Sequence, residues 1–330
     1  MKSSARWLPR LIGPAILAFF LLTTDLARIG GNLSAVHWGP LVLSLLLYPL
    51  VVLPKAWRWT LLMRSLGIDS PPLAGTIRLY MIGMFLGGAT PGQAGDFLKA
   101  WHLRDQGQPL GPALFSIVLD RLFDLMSMAV ASLLGLVVLL RFFPSERRTL
   151  IEVAVVIAAF TVAVLIPVLT ARRSREWLMR AAAAAAPTRL ATRLDRWRTQ
   201  LAGLELRPGA TAAVLLATIG AAAISIVRLW LLFSALQIQI PLLGVVSAAG
   251  LISLLQTLPI SFAGVGVRDA VLVAVLSAYG YRADQALALS ALFLLLNLEN
   301  ILLGFLASLG APSAIAPAGV APDTRAGAAP

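Results

Sequence analysis

The chain has 330 residues, of which 59% are hydrophobic and 13% are charged, and its mean hydropathy is +0.86. A soluble domain carries roughly 25% charged residues, so this composition excludes an ordinary soluble enzyme and predicts an all-α, polytopic membrane protein. The net charge of +12 comes mostly from arginines between the apolar runs, which favours anionic lipid headgroups over nucleic acid as their partner.

Residues that carry catalysis or bind metals are scarce. Cysteine is absent, and the two histidines, His37 and His102, lie far apart in the sequence. We also find no phosphate-binding glycine loop and no nucleophile elbow. We therefore expect no catalytic residues, no metal and no other cofactor, and we predict that the protein is not an enzyme.

Apolar runs predict six full spans in chain order. A basic start precedes the first run, which we interpret as an uncleaved helix because no small-residue cleavage site follows it. The predicted spans lie at about 11–28, 38–62, 111–140, 150–170, 210–236 and 285–309. Two further apolar segments, at 73–104 and 242–280, are interrupted by proline and glycine.

The chain is predicted to form one transmembrane domain over residues 1–310. Its first half covers about 10–140 and its second half about 150–310. The arginine-rich loop 171–209 has leucines at helical spacing opposite its arginines, which predicts an amphipathic helix on the cytoplasmic headgroup surface. The Ala/Pro-rich tail 311–330 is predicted to be disordered.

The loop charges predict an orientation. We place the N-terminus and the loop 171–209 in the cytoplasm, because basic loops favour that side. The basic clusters Lys55–Arg64 and Lys99–Arg104 should then be cytoplasmic as well. Both clusters can lie there only if the segment 73–104 enters the membrane from the cytoplasm and returns to it. When the membrane crossings are counted in the same way, the segment 242–280 enters the membrane from the outside and returns to the outside. The charge pattern therefore predicts two re-entrant helical hairpins of opposite orientation.

The two halves also resemble each other in sequence. Arg58–Leu66 aligns without gaps with Arg228–Leu236, 170 positions later, and the same offset relates Pro71 to Pro241. Inverted repeats whose broken helices meet near the middle of the membrane are a recurring plan in transporters. We therefore predict an inverted repeat.

Each broken segment has charged residues after its proline and glycines. The candidate substrate-binding residues are Pro91, Gly92, Gly95, Asp96 and Lys99 in the first break, and Gly264, Gly266, Arg268 and Asp269 in the second. The N-terminus of a half-helix can hold a phosphate, and broken backbone at membrane depth is tolerated only beside protein or a water-filled cavity. The alternative is a pair of surface loops, in which Asp96 caps a helix and Lys99 and Arg268 extend to the interface.

Asp120, Arg121 and Asp124 lie inside the span at 111–140. In one interpretation Arg121 pairs with Asp124 at the i,i+3 spacing and fixes helix packing. In the other, Arg121 faces a cavity and holds an anionic headgroup while an aspartate relays protons. Arg228 and Glu299 can pair in the second half, where helix packing is again the alternative explanation.

These motifs, in this order, resemble the lysylphosphatidylglycerol synthase transmembrane-region family. They are Ala56-Trp57-Arg58-Trp59, the first break, Asp120-Arg121-x-x-Asp124 and the second break. The resemblance covers about 10–310 and implies a bacterial inner-membrane protein that moves, or helps to move, a polar lipid between leaflets. The chain stops after its last span, so lysyl transfer, which belongs to a following soluble domain in two-domain relatives, is not implied. Relatives usually have Glu-Arg where this chain has Asp120-Arg121.

The leading hypothesis is a flippase-like transporter that moves a polar, phosphate-bearing lipid across the inner membrane, with the N-terminus in the cytoplasm. Its partner would be a lipid with an anionic or zwitterionic headgroup, whose phosphate Lys99, Arg121 and Arg268 would neutralise. The main alternative is a non-transporting accessory subunit of a lipid- or glycolipid-modifying enzyme. A membrane-embedded transferase comes third, because no catalytic set is present.

Overall fold

The computed structural model describes residues 36–88, 95–142, 145, 147–169, 208–256 and 267–309. The regular secondary structure among these residues is helical, with no strand. The predicted first span, nearly all of the loop 171–209, and the tail 311–330 lie outside the described residues. So do the tips of both breaks, with Pro91, Gly92, Gly264 and Gly266.

Ten helices make up the described part of the chain. They are α1 (Trp38–Leu46), α2 (Tyr48–Ser65), α3 (Leu73–Gly88), α4 (Leu98–Asp105), α5 (Leu110–Phe142), α6 (Arg147–Leu169), α7 (Pro208–Ala235), α8 (Leu242–Gln256), α9 (Val267–Ala278) and α10 (Ala283–Leu309). Four spans are long and apolar enough to cross a membrane: α1 with α2, and α5, α7 and α10. They match four of the six predicted spans, and α6 coincides with a fifth.

A step at Leu47 divides the first described span into α1 and α2. The Leu47 amide still donates to the carbonyl of Leu43 at 3.1 Å, but Pro49 has no amide hydrogen and cannot continue the ladder. Pro49 lies in the first turn of α2, where a missing amide costs little because no intrahelical partner exists for it.

Helix ends recur at equivalent places in the two halves. Gly67 follows α2 with φ of +70°, and Gln237 follows α7, 170 positions later, with φ of +56°. In both turns this residue donates to the carbonyl three positions back and the next amide donates five positions back. Gly107 and Gly280 end α4 and α9 with the same two bonds. The sequence repeat is therefore also a repeat of backbone geometry.

The equivalent spans of the two halves run antiparallel. The Ser44 hydroxyl donates to the carbonyl of Arg228 at 2.9 Å, and Arg58 donates to Thr218 at 3.2 Å, so α7 descends as α1 and α2 ascend. Helix α5 packs on α8, and their counterparts α10 and α3 pack on each other. This exchange of partners is the arrangement that a two-fold axis between the halves produces.

Glycines allow these helices to approach closely. A Cβ atom built on Gly250 of α8 would overlap the backbone of Ala131 and Ser132 on α5, and one built on Gly304 of α10 would overlap Met81 and Phe85 on α3. Small residues at contacts are the usual way in which membrane helices gain packing, because lipid supplies no hydrophobic drive between them.

Candidate functional site

A buried arginine joins α2 to α5. The Nε atom of Arg58 donates to Asp120 at 2.7 Å, and its Nη2 atom donates to Asp124 at 2.8 Å and to the carbonyl of Asp120 at 3.1 Å. The side chains of Arg58 and Asp120 have no exposed surface. The sequence placed Arg58 in an interfacial basic cluster, and this was wrong because two carboxylates one turn apart on α5 compensate its charge within the protein.

Three more polar side chains extend this network. Lys55, one turn before Arg58, donates to Asp124 at 3.0 Å. The Tyr80 hydroxyl on α3 donates to Asp120 at 2.9 Å, and the Thr218 hydroxyl on α7 accepts a bond from Arg58. The network therefore connects three helices of the first half to one helix of the second half.

Asp96 organises an adjoining group of charges at the start of α4. It pairs with Lys99 at 2.7 Å, at the i,i+3 spacing, and with Arg121 at 2.9 Å. Lys99 also lies 4.7 Å and 4.3 Å from the ring centroids of Trp59 and Tyr80, which favours a cation. The predicted pairing of Arg121 with Asp124 is not the one observed, because the carboxylate of Asp96 from another segment takes its guanidinium.

Tight packing encloses this second group. A Cβ atom built on Gly83 of α3 would overlap the carboxylate of Asp96, and one built on Gly95 would overlap the backbone of Leu86. Gly95, one of the predicted binding residues, has no Cβ atom and so lets the broken segment approach α3 closely. The side chains of Asp96 and Lys99 are each 1% exposed, whereas that of Arg121 is 23% exposed.

Among the described residues, the combined network has one more cation than it has carboxylates. Its cations are Lys55, Arg58, Lys99 and Arg121, and its carboxylates are Asp96, Asp120 and Asp124. The excess lies around Asp96, which faces two cations, while Arg58 and Lys55 are matched by two aspartates.

A cavity of about 90 Å³ adjoins the network where the two halves meet. Lys55 and Asp124 line it from the first half, and Ala222, Ser225 and Gly250 are among the residues that line it from the second. Ala222 lies at the middle of α7, so the cavity lies about halfway along the spans that surround it. Substrate sites of transporters built from inverted repeats lie at such a place.

The second half has its own buried charges. Arg268, 1% exposed, donates to the Ser290 hydroxyl at 2.8 Å, and that hydroxyl donates to Asp269. The predicted pair of Arg228 and Glu299 is confirmed as an ion pair between α7 and α10. Arg228 also donates to the carbonyl of Ser44 at 2.8 Å. Its position on α7 corresponds to that of Arg58 on α2.

The structure gathers the predicted residues of the first break with those of α5. Asp96, Lys99, Asp120, Arg121 and Asp124 share one continuous network. Arg268 and Asp269 instead meet at Ser290. Pro91, Gly92, Gly264 and Gly266 lie outside the described residues.

Sequence reasoning missed four members of the site: Lys55, Arg58, Tyr80 and Thr218. Hydropathy alone assigns a cation near a tryptophan pair to the interface. The repeat contained the missing signal, because Arg58 aligns with Arg228, which had been placed inside a span. An arginine at the same depth in both halves indicates a buried partner for each.

Comparisons with known proteins identify the family of the chain. Residues 10–304 match the profile of the family described as lysylphosphatidylglycerol synthase TM region. A UPF0104 membrane protein of Methanothermobacter thermautotrophicus is 26% identical to the chain, over 76% of this chain and 77% of the relative. No solved structure matches the chain.

Proposed function

The chain belongs to the lysylphosphatidylglycerol synthase transmembrane-region family, and from this premise we propose that it is a flippase-like transporter of a polar, phosphate-bearing lipid. The matched family region is a membrane domain rather than a catalytic one, so the protein would bind and move the lipid without changing it. The lipid would cross the cytoplasmic membrane with its acyl chains in the bilayer.

One observation carries the proposal: the buried ion network, in which Asp96 holds the two cations Lys99 and Arg121, adjoins a cavity about halfway along the spans. Each lysine or arginine at the centre of a spanning helix costs about 2.5–3.5 kcal/mol for insertion. Buried charges of this kind mark substrate or ion pathways in membrane proteins. The phosphate of a lipid beside Arg121 would add a negative charge next to the two cations that Asp96 holds.

Arg121 is the cation best placed to contact that phosphate. Its side chain is 23% exposed, while those of Lys99 and Arg58 are enclosed. Asp96 holds the Arg121 guanidinium and would orient it toward the incoming headgroup. Arginine suits this role because its planar group can donate two parallel hydrogen bonds to a phosphate.

We also propose that α3 with α4, and α8 with α9, form the two re-entrant hairpins. Helix α3 has 16 residues and α8 has 15, so they are about 24 Å and 22 Å long. Both are shorter than the ~30 Å hydrocarbon core. Because the halves are antiparallel, the two hairpins would enter from opposite sides and bring both breaks to the membrane interior, as in other inverted repeats.

The proposed cytoplasmic N-terminus is supported by the arginine-rich segment between α6 and α7. The charges of Lys55, Arg58 and Lys99 do not indicate a side of the membrane, because these residues form ion pairs inside the protein. Arg64 and Arg104 remain as exposed cations, in the last turns of α2 and α4.

Mass spectrometry of co-purified lipids tests the proposal, with the wild type, Arg121→Ala and Arg148→Ala compared in mild detergent. Arg148 is a matched control because its side chain is 92% exposed and its one ion-pair partner among the described residues is Glu152, four positions later. We expect one phosphate-bearing lipid class to be enriched with the wild type and Arg148→Ala, and lost from Arg121→Ala. Asp96 keeps Lys99 as its partner, so Arg121→Ala is expected to fold.

A second measurement separates transport from binding. Proteoliposomes that contain the wild type should move a fluorescent analogue of the enriched lipid between leaflets, and Arg121→Ala should not. Bulk lipid in bulk proportions with every variant would contradict the proposal. Enrichment without movement would instead indicate the accessory subunit of a lipid-modifying enzyme.

A further inference from the structure

We propose that the cavity between α2, α5, α7 and α8 is a subsite for a neutral, hydroxyl-bearing group, such as the glycerol or sugar part of a lipid headgroup. This inference rests on the proposed lipid function and adds a headgroup preference to it. The phosphate contact at Arg121 and this subsite are separate sites on adjoining turns of α5, so they can be tested apart.

The cavity has the size and the position for such a group. Its volume of about 90 Å³ corresponds to roughly six water-sized particles, at about 15 Å³ for each. Asp124, which lines it, follows Arg121 by three residues on α5, so the two side chains share a side of the helix. They are roughly 4.5 Å apart along the axis. A phosphate at Arg121 would therefore place the attached alcohol at the cavity.

The hydroxyl groups that line the cavity offer acceptors. Ser127, Thr218 and Ser225 each donate their proton to a backbone carbonyl three or four residues earlier, at 2.8 Å in all three cases. A hydroxyl has one proton and two lone pairs, so these oxygens can only accept further hydrogen bonds. They are suited to ligand groups that donate.

Lys55 supplies the complementary donors. Its ammonium group has three protons, and its one partner among the described residues is Asp124. The cavity therefore presents donors at one end and acceptors along α5 and α7. Hydroxyl groups of a polyol both donate and accept, so they can satisfy both sets at once.

The charge balance excludes a charged occupant. At this end of the network Lys55 and Arg58 are matched by Asp120 and Asp124, and the excess charge lies around Asp96. An ammonium group would add an unmatched charge beside Lys55, and a second anion would add one beside Asp124. Burial of an unmatched charge is costly, whereas a neutral polyol leaves the balance unchanged.

A competition between three lipids with identical acyl chains tests the inference on the full chain in detergent, by native mass spectrometry. Phosphatidic acid carries the phosphate without an alcohol, phosphatidylethanolamine adds an ammonium group, and phosphatidylglycerol adds a neutral polyol. We expect phosphatidylglycerol to bind roughly tenfold more tightly than phosphatidic acid, about one to two net hydrogen bonds. Phosphatidylethanolamine should gain nothing.

Two variants localise the preference. Ala222→Leu fills the cavity and is expected to remove the tenfold preference while phosphatidic acid still binds. Ser225→Ala removes one acceptor and should reduce the preference roughly threefold. Ser234→Ala is the matched control, because Ser234 lies on the same helix, makes the same bond to the carbonyl four residues earlier and contacts solvent or lipid rather than the cavity.

The outcomes separate the two proposals. Equal binding of all three lipids, unchanged by Ala222→Leu, would overturn the headgroup subsite and leave the phosphate site at Arg121 intact. Tighter binding of phosphatidylethanolamine would also overturn it. Free glycerol that displaces phosphatidylglycerol but not phosphatidic acid would show that the subsite takes the polyol by itself. If no phospholipid is enriched, both proposals fail together.

Discussion

Arg58→Met removes the cation that holds α2 to α5 and leaves two buried aspartates. At 2.7 Å and 2.8 Å each ion pair is worth roughly 6 kcal/mol before desolvation, at an effective dielectric constant of 20. Desolvation cancels most of this gain. Removal of one partner of a buried pair costs about 3–5 kcal/mol, because the remaining charge is uncompensated, and we expect this loss of stability for Arg58→Met.

Equilibrium unfolding in mixed detergent micelles measures the loss, with Arg148→Met as an exposed control that should behave as the wild type. The double variant Arg58→Met with Asp120→Asn removes an opposite charge as well. It should recover at least about 1 kcal/mol relative to the sum of the single changes. A stable Arg58→Met variant, or a double variant whose loss equals that sum, would refute the buried-pair argument.

Three further changes test the helix packing, the caps and the second ion pair by the same unfolding assay. Gly250→Ala should lower the free energy of unfolding by about 1–3 kcal/mol, because the new Cβ atom would overlap the backbone of α5. Gly220→Ala is the control and should leave stability unchanged, because a Cβ atom there meets nothing within 4 Å. Equal effects of the two changes would contradict the close approach of α8 to α5. Gln237→Gly should raise the free energy of unfolding by about 0.5–1 kcal/mol, since φ of +56° strains a residue that has a Cβ atom. A lower stability of this variant would contradict the left-handed cap at the end of α7. Glu299→Gln should cost about 2–4 kcal/mol, because Arg228 stays buried without its carboxylate, and an unchanged midpoint would show that the pair is dispensable.

The spans were predictable because hydropathy is a local property of the sequence. Four of them match in the structure, and the family was recognised from motifs whose residues are adjacent in the chain. The repeat was predictable as well, because prolines and an arginine recur at one offset. The matching turns after α2 and α7 also depend on local sequence, since a few residues decide where a helix ends.

Partners between helices were harder to predict, since several arrangements satisfy the same charges. Arg121 has Asp124 three residues away, yet it pairs with Asp96 from another segment. Asp124 is taken by Arg58 and Lys55, which only the packing of α2 against α5 brings close. Arg228 and Glu299 were easier, because they are rare charges in the later spans and had few alternatives. The choice between partners depends on tertiary packing, which short sequence spacing does not encode.

The order of synthesis gives the ion network a consequence for insertion into the membrane. Arg58 precedes its partner Asp120 by 62 residues, so at roughly 5–20 residues per second its carboxylate arrives about 3–12 s later. During that interval Lys55 and Arg58 on α2 have no compensating aspartate from α5. A nascent chain cut before Asp120 would therefore hold unpaired charges in the bilayer, whereas one cut after Asp124 would not. Assembly of the first half is complete only when α5 has been made.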